Sequence, residues 1–288
     1  MAAADPRTAM AAILQSMTMS YISPSMCSRG CTSSRPADDL AGGLGRPHGD
    51  GRPDGAGGHR RRAPCVPPVS VAVLPDARYA AEVARAARRS GRPALVHMPM
   101  AADGGRAGAG ALAADMSAAA IRDTLEGALA AVPGAIGVNN HRGSAVTADR
   151  AAMDRFMREL ARRGRDLIFI DSRTSAASRA VEAAERAGIG VAERDVFLDH
   201  VRDEAAIARQ AERWLTRARE TGCALAIGHP HPETLAVLER ELARAQGVER
   251  VGIRTYVHRC GTPRPGGKPW HVSSYPSPTA AKSSRPSP

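Results

Sequence analysis

Four short apolar runs in the middle of the chain end in side chains that can do chemistry. One runs into His97 in VHMPM, and a second into Asn139, Asn140 and His141 in GVNNHRGS. A third reaches Asp171 in FIDSRTS, and a fourth reaches His229 in AIGHPHPE. Two imidazoles and a carboxylate are an ordinary ligand set for zinc or another divalent cation. Such a cation lowers the pKa of a bound water and gives a nucleophile near neutral pH, while a further Asp or His moves the proton. Together these groups suit hydrolysis of an amide or an ester. Each has a plainer reading too. His97 fits a core histidine, and Asn139 and Asn140 fit turn caps. Asp171 before Ser172 fits a helix N-cap. His229 fits a turn, and His231, between two prolines, is expected to be exposed. The joint pattern favours a site, because chance would scatter such groups to both ends of the runs.

Those runs read as strands. Candidates are 69–74, 94–97, 135–139, 167–170, 189–192, 224–227 and 248–253, each short and nearly all apolar, as strands buried on both faces should be. Amphipathic helices lie between them. Ser117 can cap one that carries Ile121, Leu125, Leu129 and Val132 on a single stripe. Thr147 can cap the next, with Met153, Phe156, Met157 and Leu160 inward and Gly164 at its end. A third presents Ile207, Ala211, Trp214, Leu215 and Ala218 and stops at Gly222. A fourth starts at Pro232. Alternating strands and helices imply a parallel sheet whose carboxyl ends share one face, where active sites of such folds lie.

The net charge of +11 in 288 residues suggests nucleic acid at first sight. Its distribution argues against that partner: residues 69–253 hold 26 Arg and 24 Asp plus Glu, so the excess sits in the flanks. Those flanks lack the interleaved aromatics of a base-stacking surface. Three zones follow. Residues 1–68 are expected to be disordered or, over 23–68, read out of frame. Residues 69–253 form the folded domain, and 254–288 form a Pro/Ser-rich disordered tail. Cys27 and Cys31 have metal-like spacing but no matching second pair. Cys223 reads as a buried, inert thiol, and no disulfide framework is implied. No run is apolar and long enough for a transmembrane helix, and 10–22 makes a poor signal peptide. A nucleotide site on Gly104, Gly105 and GAGAG lacks the strand-loop-helix phosphate fingerprint.

The segments VAVLP, HMPM, NNHRGS, DSRTS, RDVFLDH and IGHPHPET, in that order over about 69–253, resemble the divergent polysaccharide deacetylase family. The resemblance implies an α/β fold, a deformed (β/α) barrel of about seven parallel strands. It implies His97 and His141 as ligands of a divalent metal, zinc by family habit. Catalytic acid/base or orienting roles would fall to Asp171 and His229. Asn140, Arg173 and Asp195 would line the substrate pocket, with Asp199 on the same rim. The implied activity is hydrolysis of acetyl groups on a cell-envelope polysaccharide or glycan fragment, in the periplasm or envelope. One departure stands out. The family's first strand, ending in Asp-Asp-Leu-Gly and supplying a ligand, has no counterpart directly before Val69. Without it the metal would be weakly held, and the alternative is a relative that binds a glycan or envelope partner without chemistry. His141 is also followed by Arg142 where the family usually has Met.

Overall fold

The computed structural model describes residues 69–102, 108, 110–164 and 166–262, together with the backbone of residues 9–16. Among the described residues nine strands form one parallel sheet: β1 Ala9–Ser16, β2 Val69–Val73, β3 Ala94–Met100, β4 Gly137–Arg142, β5 Ile168–Asp171, β6 Gly190–Glu193, β7 Val196–Phe197, β8 Cys223–Gly228 and β9 Glu249–Arg250. Their order is β6-β5-β4-β3-β2-β1-β8-β7, with β9 beside β1. The two edge strands, β6 and β7, are separated by Arg194 and Asp195 alone. The chain therefore passes directly from one edge to the other, and the sheet must curl until its edges lie close. No ladder joins β6 to β7 among the described residues, so the hydrogen-bonded path stays open.

The expected absence of a first strand is corrected here. Ala9–Ser16 pairs in parallel with β2 on one side and with β8 on the other, so it occupies the middle of the sheet. Its sequence, AMAAILQS, holds one β-branched residue and is otherwise dominated by good helix formers, so propensity gives no strand signal. Two ladders override that propensity. The strand ends in Gln15 and Ser16, in register with Ala72 and Val73 of β2, and Leu14 stands beside Gly228 of β8. The rest of the disordered or out-of-frame zone lies outside the described residues.

Side chains alternate between the two faces of each strand, and the packing clusters show which face is which. Leu95, Ile168, Ile170, Ala192, Leu225 and Ile227, from strands far apart along the path, share one cluster inside the curl. Val96, Met98, Val138, Phe169 and Val191 point outward to the helices. These helices are α1 Ala80–Arg89, α2 Ala118–Ala131, α3 Ser144–Ala148, α4 Arg150–Arg163 and α5 Ala180–Ala187. Ala224 and Ala226 point outward to α6 Glu204–Thr221 and α7 Pro232–Arg244. Trp214 on α6 donates its indole N–H to the Ala224 carbonyl at 3.0 Å, which satisfies the one polar atom of a buried ring. Ser117 caps α2 as expected, accepting from Ala120. The cap of α4 is Asp149 rather than Thr147, whose hydroxyl instead bonds the Gly143 carbonyl inside α3.

The tail was expected to begin at 254, but Ile253–Cys260 forms a last helix, α8. The segment 248–253, expected as a strand, contributes only the two residues of β9. Ile253, Tyr256 and Val257 of α8 join the inner cluster and close the floor of the curl beneath the strands. Cys223, at the start of β8, forms a disulfide with Cys260 at the end of α8, so the reading of Cys223 as an inert thiol is also corrected. That bond closes a chain segment with a sequence separation of 37 and ties the floor helix to the sheet. A loop of this size is worth about 3 to 4 kcal/mol. No helix among the described residues is long and apolar enough to cross a membrane.

Candidate active site

Strand parity carries the site. His97 lies between the outward Val96 and Met98, and His141 lies three residues after the outward Val138. Both imidazoles therefore turn into the curl at its carboxyl-end mouth. They meet: His141 Nδ1 is 3.0 Å from His97 Nε2, with the rings edge to face. Pairing of Pro99 with His141 across β3 and β4 sets this level. Burial, then the neighbouring His141, lowers the His97 pKa from 6.5 to about 3, although Asn139 beside it favours the charged form. His141 is lowered as well, by burial first, then by Arg142 and His229, against an opposing pull from Asp76. His229 follows Gly228 on the parity of the inward Leu225 and Ile227, so three imidazoles, from β3, β4 and the end of β8, turn toward the same mouth.

His229 is oriented by a residue thirty positions earlier. Asp199 Oδ1 lies 2.9 Å from His229 Nδ1, while Oδ2 accepts from the His229 amide at 2.6 Å and from the Thr234 hydroxyl at 2.8 Å. Burial raises the Asp199 pKa, but these three hydrogen bonds outweigh it and hold the carboxyl below its usual range. The close approach depends on Gly228: a Cβ there would stand 3.3 Å from Asp199 Oδ2 and from Leu198. Phe197 contacts the His229 ring edge to face, and the Arg194 guanidinium covers Phe197.

Two groups of donors could hold a cation. His97 Nε2 and His141 Nδ1 are separated by 3.0 Å, close to the roughly 3.3 Å between two nitrogens on one tetrahedral zinc at 2.0–2.1 Å. Asp199, His229 and His231 also gather one ligand atom each within 4.8 Å. His231, half-buried at the N-terminus of α7 with its ring 5.5 Å from His229, is therefore not the bystander its flanking prolines suggested. In that second group, however, both Asp199 oxygens already carry hydrogen bonds.

Other expected site residues serve the fold. Asp171 shares parity with outward Phe169; its carboxylate accepts from the Arg173 amide at 2.8 Å and the Ser178 hydroxyl at 2.7 Å and fixes the turn into α5. Burial raises its pKa against those bonds. Asn140 also faces outward, spending its side chain on the Arg142 carbonyl and the Ser172 amide. The Asp195 carboxylate bonds the Leu225 amide, Arg217 and Tyr256, three residues below the end of β8. Arg173, expected in the pocket, is exposed and paired with Glu193. Asn139, Asp199 and His231 replace them near the imidazoles. Asp199 was visible only as part of RDVFLDH, since sequence spacing cannot reveal a partner thirty residues away.

The chain matches the divergent polysaccharide deacetylase family over residues 56–257. It is 40% identical over 173 residues to the uncharacterized protein YibQ of Escherichia coli K12, covering 60% of this chain and 54% of that one. It is 39% identical over 187 residues to an uncharacterized protein of Haemophilus influenzae Rd, covering 64% and 66% respectively. The chain thus spans between half and two thirds of the length of these relatives. The crystal structure of uncharacterized protein ATU2773 from Agrobacterium tumefaciens C58 shares the fold, with a TM-score of 0.68, 22% identity, and coverage of 86% of this chain and 88% of that one. This chain belongs to the divergent polysaccharide deacetylase family.

Proposed function

We propose that the chain hydrolyses acetyl groups of an acetylated envelope polysaccharide, with a divalent cation, zinc by donor type, held by His97 and His141. The His97–His141 pair at 3.0 Å, with His229 on the same inward parity at the end of β8, carries this reading, and we take the curl of the sheet as a deformed (β/α) barrel. A cation bound there supplies a Lewis acid for the acetyl carbonyl and a water of lowered pKa. His229 is the acid/base group. Its Nδ1 faces Asp199, so Nε2 is the atom that takes or gives the proton. Asp199 positions the ring. The apolar inner wall of Leu95, Leu225 and Ile227 limits water beneath the reacting carbonyl. Asp171 holds the neighbouring loop and takes no proton-transfer role.

The test is acetate release from N-acetylglucosamine oligomers by the zinc- or cobalt-loaded chain, compared with His229→Ala. Release that depends on metal and on His229 supports the reading; no release with either ion sinks it. One observation favours a second reading. β1 ends in Gln15 and Ser16 rather than in an aspartate pair, which removes the anionic ligand the family's motif would bring. Saturable glycan binding with no acetate release would establish that non-catalytic form.

A further inference from the structure

Helices that cross between parallel strands run against them, so their C-termini collect at the amino end of the sheet, opposite the mouth. Open carbonyls at a helix C-terminus favour a cation there, and open amides at the N-terminus favour an acid. This chain follows both preferences. The last turns hold Arg88 and Arg89 in α1, Arg162 and Arg163 in α4, Arg186 in α5, Arg219 in α6 and Arg244 in α7. Glu82, Glu182, Glu204 and Glu233 stand in first turns. A segment nearly balanced in charge along its sequence thus folds with many of its arginines at one end.

The two ends differ in what those cations meet. Around the mouth Arg173 pairs with Glu193, Arg179 with Glu182 and Arg202 with Glu233. At the amino end Arg162, Arg163 and Arg186 are paired with Glu159, Glu126 and Asp154. Arg88, Arg89, Arg219 and Arg244 are exposed there and form no ion pair with a described residue. The same holds for Arg250, in the β9 pair beside the start of β1, and for Arg254 in the first turn of α8. Arg219, Arg250 and Arg254 donate to the carbonyls of Gln246, Leu242 and Asp166, which fix the side chains without cancelling their charge. The described acids at this end are Asp166, Glu185, Glu220 and Glu249, and Glu249 is already paired with Arg259. Arg163 and Arg254 also flank a hollow of about 420 Å³ walled by Leu129, Ala135, Ile136 and Leu167.

We propose that this amino end is a docking surface for an anionic lipid bilayer, gripped through the lipid phosphates. Guanidinium groups match phosphate oxygens in geometry and charge, and each arginine held near an anionic leaflet adds affinity. The apolar hollow beside Arg163 and Arg254 accepts the glycerol and acyl root beneath a lipid phosphate, whereas a nucleic-acid backbone would leave it unfilled. Docking at this end leaves the mouth on the far side of the molecule, open to a polymer away from the membrane. The inference is independent of the reaction carried out at the mouth.

The experiment is co-sedimentation of the full chain, at low ionic strength, with vesicles of phosphatidylcholine alone or mixed with phosphatidylglycerol. Two triple variants carry the same change of charge. One combines Arg88→Gln, Arg89→Gln and Arg244→Gln at the amino end; the other combines Arg78→Gln, Arg179→Gln and Arg202→Gln around the mouth. The natural chain is expected to bind the mixed vesicles and not the neutral ones. The amino-end triple is expected to bind them at least about tenfold more weakly, and the mouth triple to stay within about threefold of the natural chain. Where the amino-end triple fails to fold, its three single variants serve instead, each expected to weaken binding about fivefold. Absence of binding to the mixed vesicles overturns the assignment. So do equal losses in the two triples, or no loss in either, the results that net charge or the flanking segments alone would give. Tighter binding of a short duplex DNA, with the same loss in the amino-end triple, overturns it in favour of nucleic acid.

Discussion

Asn139 and Asn140 are adjacent in sequence and identical in chemistry, yet they belong to different parts of the molecule. Asn139 follows outward Val138 and turns into the curl, against His97 and the β5 backbone. Asn140 turns outward and ties the loop after β4 to the loop after β5. The same division separates His229, at the inner mouth, from Asp171, in the helical layer. A strand end therefore offers chemistry on one parity and scaffolding on the other, and residue type alone does not tell them apart.

Proton transfer gives the sharpest way to break this division. His229→Ala should lower acetate release by about 10² to 10⁴-fold, whereas Asp171→Asn, measured at equal folded fraction, should lower it by less than about fivefold. Equal losses in kcat/KM would erase the distinction between the two faces. The next effect lies at the floor. Reducing the Cys223–Cys260 bond, or replacing both residues by Ser, should cost about 3 to 4 kcal/mol and lower Tm by about 10 °C. Thermal scans with and without reductant check this, and coincident scans would show that α8 closes the floor without its tether.

A smaller effect follows from the inward burial of His97. The unfolded chain binds a proton there near pH 6.5, while the folded metal-free chain resists protonation down to about pH 3. Stability must then fall as pH drops from 6.5 toward 3, by up to about 1.4 kcal/mol per pH unit for this group. Unfolding free energies from urea titrations at pH 6.5 and 5.0 should differ by about 1.5 kcal/mol from this source, and His97→Asn should flatten that part of the profile. An unchanged slope in the variant would mean that His97 is not the buried neutral group. An effect of similar size concerns the outer face: Asn140→Ala removes two loop hydrogen bonds and should cost about 1 to 3 kcal/mol in urea unfolding.

Much of the fold was legible because the signals are local. The apolar runs before His97, His141, Asp171 and His229, the Ser117 cap, the Gly222 stop and Pro232 at the start of α7 all appear as the sequence suggests. β1 was not legible, since AMAAILQS has helical propensity and its strand state comes from two neighbours distant in sequence. Parity was the harder loss. Strands such as Ile168–Asp171 are buried on both faces, so the apolar pattern does not say which side is inner. Asp171 stands at a strand end and both it and Asn140 match family motifs, and neither signal carries the parity. The Asp199–His229 pair and the disulfide each join positions thirty or more residues apart, and no spacing in the chain announces either.

The inward His97–His141 pair, and not the group at Asp199, His229 and His231, is proposed to hold a divalent cation. The direct measurement is calorimetric titration of zinc into the natural chain, His97→Ala, His141→Ala and His231→Ala, each checked for folding by circular dichroism. One bound ion is expected, lost or weakened at least about tenfold in His97→Ala and His141→Ala and retained within about threefold in His231→Ala. Loss of the ion in His231→Ala, with binding intact in the other two, would contradict it.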